Sequence, residues 1–231
     1  MRRILIKLSG ESMAGQYSQG LDFDYIDKIV ARIKKVHEMG VGIGIVCGGG
    51  NFLRGRDATH MDRERADYVG MMATIMNSLV LRDAFIRAGM EVYNQSGLEV
   101  AVADSIDSDK SFEAIQDGKI VIFGGGTGKP FFSTDTGASL RAIDIKADMI
   151  VKLTNVDGVY DKDPNKYDDA KMYTNVTYQE VIDKKLGVMD LEAIEMCRDN
   201  KIEIVVTNID LEDGLIKILN GEKIGTLVSD N

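Results

Sequence analysis

Residues 120–123, Ile-Val-Ile-Phe, run straight into Gly-Gly-Gly-Thr-Gly-Lys-Pro-Phe-Phe-Ser-Thr-Asp at 124–135, and a helical pattern starts near Thr134. A short apolar run, a glycine-rich loop and a helix start describe a strand–loop–helix unit, which commits the chain to an α/β fold. The same unit is chemically suited to an anion. Glycines let backbone N–H groups come close to phosphate oxygens, and the positive end of the following helix adds to the attraction. Thr127, Thr134 and Asp135 can fix a polar ligand while Lys129 faces its charge. The stretch is not a Walker A loop, because Phe123 stands where the first glycine is required and Pro130 where a Ser or Thr is required. A plain turn between strand and helix is the competing explanation, and recurrence elsewhere in the chain argues against it.

Residues 4–8 form a second apolar run, interrupted by Lys7 and followed by Ser9-Gly10-Glu11, which reads as a strand entering a tight loop. Lysine is seldom buried without a partner, so Lys7 is expected at a cleft where it meets an anion, unless its ammonium snorkels to solvent. Residues 24–39 carry Ile26, Ile29, Val30, Ile33 and Val36 at helical spacing. A strand over 41–47 then opens into Gly48-Gly49-Gly50-Asn51, another glycine cradle, with the guanidinium groups of Arg54 and Arg56 close behind. Residues 56–65 are highly charged and predict a solvated loop.

Residues 66–88 give the longest helical pattern, with Val69, Met72, Ile75, Met76, Leu79, Val80 and Phe85 on the main apolar face and Met71 and Leu81 outside it. Apolarity on more than one side predicts a core face and a subunit interface. Asp67 is either a favourable first-turn carboxylate or an acceptor for a ribose diol. Residues 90–93 predict a strand, 101–103 stay unassigned, and 112–116 predict a short helix. Beyond the central loop come a helix over 134–145 and a strand over 149–153 that carries Lys152 near its end. The connector that follows contains Asp157, Asp161 and Asp163 but lacks the glutamate an EF-hand needs, so it reads as a polar frame. Thr177 and Glu180 form a capping-box pattern, 190–199 predict a helix, 203–207 a strand, and 215–219 and 226–228 complete the alternation.

Composition narrows the function. A net charge of −9 over 231 residues argues against nucleic acid or an anionic membrane as the main partner. Two distant cysteines, Cys47 and Cys197, and two histidines, His37 and His60, support neither a zinc site nor a disulfide framework. The N-terminus lacks the apolar core of a signal peptide, and no membrane-length apolar segment is expected, which leaves a cytoplasmic enzyme or binding protein organised as one domain over 1–231.

Five ordered motifs then carry a resemblance: Lys7-Leu-Ser-Gly10-Glu11; Gly48-Gly-Gly-Asn51 with Arg54; Asp67 with Gly70-Met-Met-Ala-Thr74; Thr127-Gly-Lys-Pro-Phe-Phe-Ser-Thr-Asp135; and Val156-Asp-Gly-Val-Tyr160 with Asp163-Pro164. Together they resemble the bacterial uridylate kinases of the amino acid kinase superfamily, over nearly the whole chain. The resemblance implies a three-layer α/β/α sandwich on a mainly parallel sheet, a homohexamer built from dimers, and transfer of a phosphoryl group from ATP to UMP in pyrimidine biosynthesis, with Mg²⁺ carried by the ATP phosphates. It also implies residue roles. Lys7, Leu8, Ser9, Gly10, Gly50 and Arg54 would line the ATP phosphates, and Thr154, Tyr160 and Asp163 would frame the adenosine. Gly49, Asp67, Thr127, Gly128, Lys129, Pro130, Phe131, Phe132, Ser133 and Thr134 would hold UMP. Lys7, Asp135 and Lys152 would form the catalytic group, with Asp135 orienting the catalytic lysine.

Lys129 departs from the family, which usually has asparagine there, so responses to GTP and UTP are not inherited. Two alternatives stay open: a kinase of the same superfamily acting on an amino-acid carboxylate, which would not need a ribose-binding Asp67, and a nucleotide sensor or storage oligomer, which would not need both lysines and Asp135. A dinucleotide-dependent dehydrogenase is disfavoured because Gly48-Gly-Gly-Asn51 is not a G-x-G-x-x-G pattern.

Overall fold

The computed structural model describes residues 1–53 and 60–230. Among the described residues nine strands form one sheet in the order β4-β3-β5-β2-β1-β6-β8-β9-β7. The central strands β1 (Arg3–Leu8), β2 (Gly42–Cys47), β5 (Ile120–Gly124), β6 (Met149–Thr154) and β8 (Glu203–Asn208) all pair in parallel, as do β3 (Val92–Ser96) and β4 (Asp104–Ser105) at one edge. At the other edge β9 (Thr226–Val228) runs antiparallel to β8 and parallel to β7 (Asn175–Val176).

Strand alternation divides the core in two. Ile4, Ile6 and Leu8 of β1, with Ile43 and Ile45 of β2, face α2 (Phe23–His37), α3 (Arg63–Arg87) and α8 (Gly214–Leu219). Leu5, Val46, Val121 and Phe123 face the opposite layer, built from α4 (Ser108–Gln116), α5 (Thr134–Asp144), α6 (Tyr178–Asp183) and α7 (Leu191–Asp199). The result is the three-layer α/β/α sandwich, with strands apolar on both faces as parallel sheets require.

Several element boundaries differ from expectation. Ser9 does not end in a loop: its hydroxyl accepts from Ser12 N at 3.2 Å and caps the short helix α1 (Gly10–Ala14). β3 extends to Ser96 through Asn94 and Gln95, polar residues that mask the strand in the sequence yet are buried. α3 starts three residues before the predicted Ala66, because Asp62 caps it by accepting from Glu64 N and Arg65 N at 3.1 and 3.4 Å.

The facing of α3 is also corrected. Met71 and Leu81, expected off the main face, are buried, whereas Val69, Met72 and Met76 are exposed. Ile75 and Phe85 are buried as expected, and the inward face sets them, with Met71 and Leu81, among small and polar residues, Ala66, Ala73, Thr74, Asn77, Ser78 and Ala84, where the helix lies close over the sheet and its loops. By length and composition alone α3 is apolar enough to cross a membrane, contrary to the expectation of no such segment, but half of its most apolar window is buried within the domain.

Candidate active site

The strand order changes direction at β1, whose neighbours β2 and β6 lie on opposite sides and are followed by crossovers running opposite ways. Such a point leaves a crevice beyond the carboxyl ends of the strands. A cleft of about 330 Å³ occupies this place, lined by Lys7, the Gly48–Gly50 loop, Asp67 and Thr74 of α3, and Thr127, Ser133, Thr134 and Asp135.

Lys7 and Lys152 are register partners on adjacent strands and project from the same face of the sheet. Asp135, in the first turn of α5, meets both: Lys7 Nζ lies 2.8 Å from Oδ1 and Lys152 Nζ donates to Oδ2 at 3.1 Å. Lys152 also donates to Val188 O. Burial pushes the Asp135 carboxyl up, but the two ammonium groups together outweigh it and hold it below the ordinary carboxylate value. Burial lowers Lys152, with Asp135 opposing. Two ammonium groups on one carboxylate leave a positive charge uncompensated within the triad, which suits the floor of an anion site.

The loops around the triad are held by close backbone approach. A Cβ on Gly10 would lie 2.2 Å from Gly50 N, so the turn after β1 and the turn after β2 touch only because residue 10 has no side chain. Gly128 has φ +77°, and a Cβ there would lie 2.2 Å from Gly97 O. Gly97, not singled out in the sequence, thereby sets the path of the 125–133 loop. Thr74 pins the same loop, its hydroxyl accepting from Gly125 N at 2.8 Å.

The start of α5 is tied to α7. Ser133 Oγ accepts from Asp135 N and Thr136 N at 2.9 and 3.1 Å and donates to Asp190. Thr136 Oγ1 donates to Asp190 at 3.1 Å, while Asp190 Oδ1 caps α7 by accepting from Ala193 N at 3.0 Å. One carboxylate thus clamps two helix N-termini and fixes the turn that carries Asp135. In the sequence Asp190 marked only the start of a helix.

Asp67 accepts from Arg63 Nε at 2.9 and 3.0 Å and from Phe131 N at 2.9 Å, so it joins α3 to the loop. Phe131 itself has φ +70° and points outward, 64% exposed. Ser9, Gly10, Gly49, Gly50, Lys129 and Phe132 line the cleft, whereas Leu8 is core and Gly128, Pro130 and Phe131 shape the loop around it. Thr154, Tyr160 and Asp163 do not line the cleft. At the end of β6, Thr154 Oγ1 accepts from Val156 N and donates to Val156 O, both at 3.0 Å; in the connector beyond it Tyr160 pairs with Met172 in an isolated β-bridge, and Asp163 accepts from Asn165 N at 3.0 Å. Arg54 and Arg56 lie outside the described residues.

The Amino acid kinase family profile matches residues 2–208. Among solved structures, the UMP kinase from Bacillus anthracis is 36% identical with a TM-score of 0.95, covering 100% of this chain and 96% of that one. The UMP kinase from Ureaplasma parvum is 35% identical at 0.92, covering 99% of each chain. The uridylate kinase from Archaeoglobus fulgidus is 26% identical at 0.78, covering 99% of this chain and 100% of that one. With the profile spanning most of its length and full-length likeness at this identity, the chain belongs to the amino acid kinase family, and within it to the UMP kinases.

Proposed function

We propose that the protein transfers the γ-phosphoryl group of ATP to UMP, giving ADP and UDP, by direct in-line displacement. The observation that carries this reading is the Lys7–Asp135–Lys152 triad, of which Lys7 and Asp135 line a cleft walled by two glycine-rich loops while Lys152 holds Asp135 without lining it. Both nucleotides are anions, so a UMP phosphate oxygen reaches the γ-phosphorus only if their repulsion is offset and the two are held in line. As the new P–O bond forms, the bond from the γ-phosphorus to the β–γ bridging oxygen breaks and its electron pair stays on ADP. Lys7 neutralises the transferred group, Asp135 orients Lys7, and Lys152 shares the Asp135 charge.

ATP is assigned to the side of Lys7, Leu8, Ser9, Gly10, Gly50 and Arg54, with Thr154, Tyr160 and Asp163 framing the adenosine. UMP is assigned to Gly49, Asp67 and the stretch from Thr127 to Thr134. For Asp67 to take a ribose diol, its bonds to Arg63 and Phe131 N must rearrange. Among the described residues no three His, Cys, Asp or Glu side chains cluster to cage a metal, and Asp135 is already engaged by two lysines. That donor set fits Mg²⁺ entering as part of the nucleotide substrate, where it neutralises phosphate oxygens. We read residues 1–231 as one domain and place the enzyme in the cytoplasm as a homohexamer built from dimers. The exposed Val69, Met72 and Met76 of α3 support an interface there.

The test is ATP-dependent ADP release with Mg²⁺, offering UMP, CMP, dUMP, aspartate, glutamate and N-acetylglutamate separately. Release with UMP alone is expected. Release with an amino acid would keep the fold and replace the substrate, and nucleotide binding without release would make the protein a sensor.

A further inference from the structure

Asn51 and Asn77 form a buried amide pair, 1% and 0% exposed, that none of the steps above uses. Asn77 Nδ2 donates to Asn51 Oδ1 at 2.8 Å and Asn51 Nδ2 donates back to Asn77 Oδ1 at 3.0 Å. Each amide has a further N–H to give. Asn77 gives its own to Gly48 O at 2.7 Å, and Asn51 gives its own to Gly20 O at 2.8 Å. Buried polar groups cost stability unless fully paired, and here the pairing is complete.

The direction of the bond to Gly48 O has a chemical consequence. In a trans peptide the C=O and the following N–H point opposite ways, and the chain has no cis peptide among the described residues. Holding Gly48 O against α3 therefore turns the Gly49 N–H away from α3. The next peptide behaves alike: Gly49 O accepts from Phe52 N and Leu53 N at 3.0 and 3.2 Å, which turns the Gly50 N–H the other way. Neither N–H has an acceptor among the described residues, and both glycines line the cleft. The same opposition is visible in the neighbouring loop, where Gly125 N donates to Thr74 Oγ1 while Gly124 O accepts from Gly97 N at 3.0 Å.

We propose that Asn77, locked in orientation by Asn51, is a positioning residue for phosphoryl transfer: by holding the Gly48 carbonyl it presents the Gly49 N–H to nucleotide phosphate oxygens in the cleft. The role rests on the kinase reading above. It gives α3 a further task, since the helix that carries Asp67 and pins Gly125 through Thr74 also sets the donor direction of the first glycine cradle.

The test is a matched pair, Asn77→Asp and Asn51→Asp. Each buries one acid at the same depth, so both lower Tm. Only the first removes the hydrogen given to Gly48 O; the acid at position 51 keeps an acceptor for Asn77. Removing a donor to a developing charge typically costs about 10²–10³ in rate, so a misaimed donor is expected to lower kcat of the folded Asn77→Asp enzyme at least tenfold more than that of Asn51→Asp. Burial raises the pKa of an introduced acid, and once protonated the acid at position 77 can donate again. Asn77→Asp alone should therefore recover kcat, relative to wild type, as pH falls. Equal losses in the two variants, or a loss in Asn77→Asp that the unfolded fraction explains, would overturn the role. Should the acids prevent folding, Asn77→Ser and Asn51→Ser repeat the comparison without a buried charge, with the same inequality expected and equality overturning it. Wild-type turnover of UMP is measured first; its absence overturns the kinase reading and this role with it, while equal losses in an active enzyme overturn this role alone.

Discussion

Asp135→Asn keeps the shape of the side chain and removes only the charge between two lysines. At an effective dielectric of about 20, contacts of 2.8 and 3.1 Å are each worth roughly 5–6 kcal/mol before desolvation. Much of this is offset by the cost of burying the charges, and deleting one member of a buried pair costs about 3–5 kcal/mol net. If the part of that loss felt in the transition state is about 2.7–4 kcal/mol, kcat falls by about 10²–10³.

Ground-state binding should behave differently, because the variant site is more positive and ATP is an anion. KM for ATP is expected to hold or fall while kcat drops. The pH dependence follows from the two lysine contacts. Asp135 is held below the ordinary value of 3.8, so its contribution to stability is present above that value and lost as pH falls through the depressed one. The Asp135→Asn variant lacks this contribution. On the alkaline side, burial lowers Lys152 and Asp135 is the main group opposing it, so without the carboxylate Lys152 loses its proton at lower pH. The alkaline limb of kcat should move down accordingly. Steady-state kinetics across pH, with circular dichroism to establish folding, decides the matter. Wild-type kcat in a folded variant, or a reduced kcat with an unmoved alkaline limb, would refute the reasoning.

Three further outcomes are expected. Lys7→Ala should lose about 10²–10³ in kcat, the usual cost of removing a donor to a developing charge, and near-normal turnover in a folded variant would remove Lys7 from the transfer step. Thr134→Val should weaken the preference for UMP over CMP in competition assays, because a site built around a polar group rejects the wrong base by leaving that group unpaired; unchanged discrimination would free Thr134 of that role. Asp190→Asn keeps one acceptor oxygen where the carboxylate has two, so it cannot accept from Ser133 at Oδ2 and from Ala193 N at Oδ1 together, and a polar group left unpaired costs about 1–3 kcal/mol; Tm should fall by several degrees and kcat should fall with it, and an unchanged Tm would show that the α5–α7 clamp is idle.

Features set by local chemistry could be read without a fold. The apolar runs at β1, β2, β5, β6 and β8 mark strands because they are too short for helices and end in glycine or polar turns. α2 is plain because its apolar residues recur at helical spacing, and the Thr177–Glu180 capping box is plain because both partners lie within one turn. Less legible were β3, whose polar half is buried, and α3, whose inward face mixes small and polar residues with Met71, Ile75, Leu81 and Phe85. The single-residue pattern assigns a buried face by hydrophobicity, and it fails where the helix packs close against backbone loops, as at Thr74 and Asn77.

The parts of the site are written along the chain: two glycine cradles, a lysine near the end of each of two strands, and an acid opening a helix after the second cradle. Their meeting is a property of the packed molecule. Lys7 and Lys152 are far apart in the chain, and they become register partners solely because β6 docks beside β1. Asp190 reaches Ser133 and Thr136 because α7 packs on α5, and Asn77 reaches Gly48 because α3 crosses over the β2 turn. Residue type and spacing act over a few residues along the chain, while strand order and helix docking follow from which apolar faces bury one another, and that choice is made by the chain as a whole.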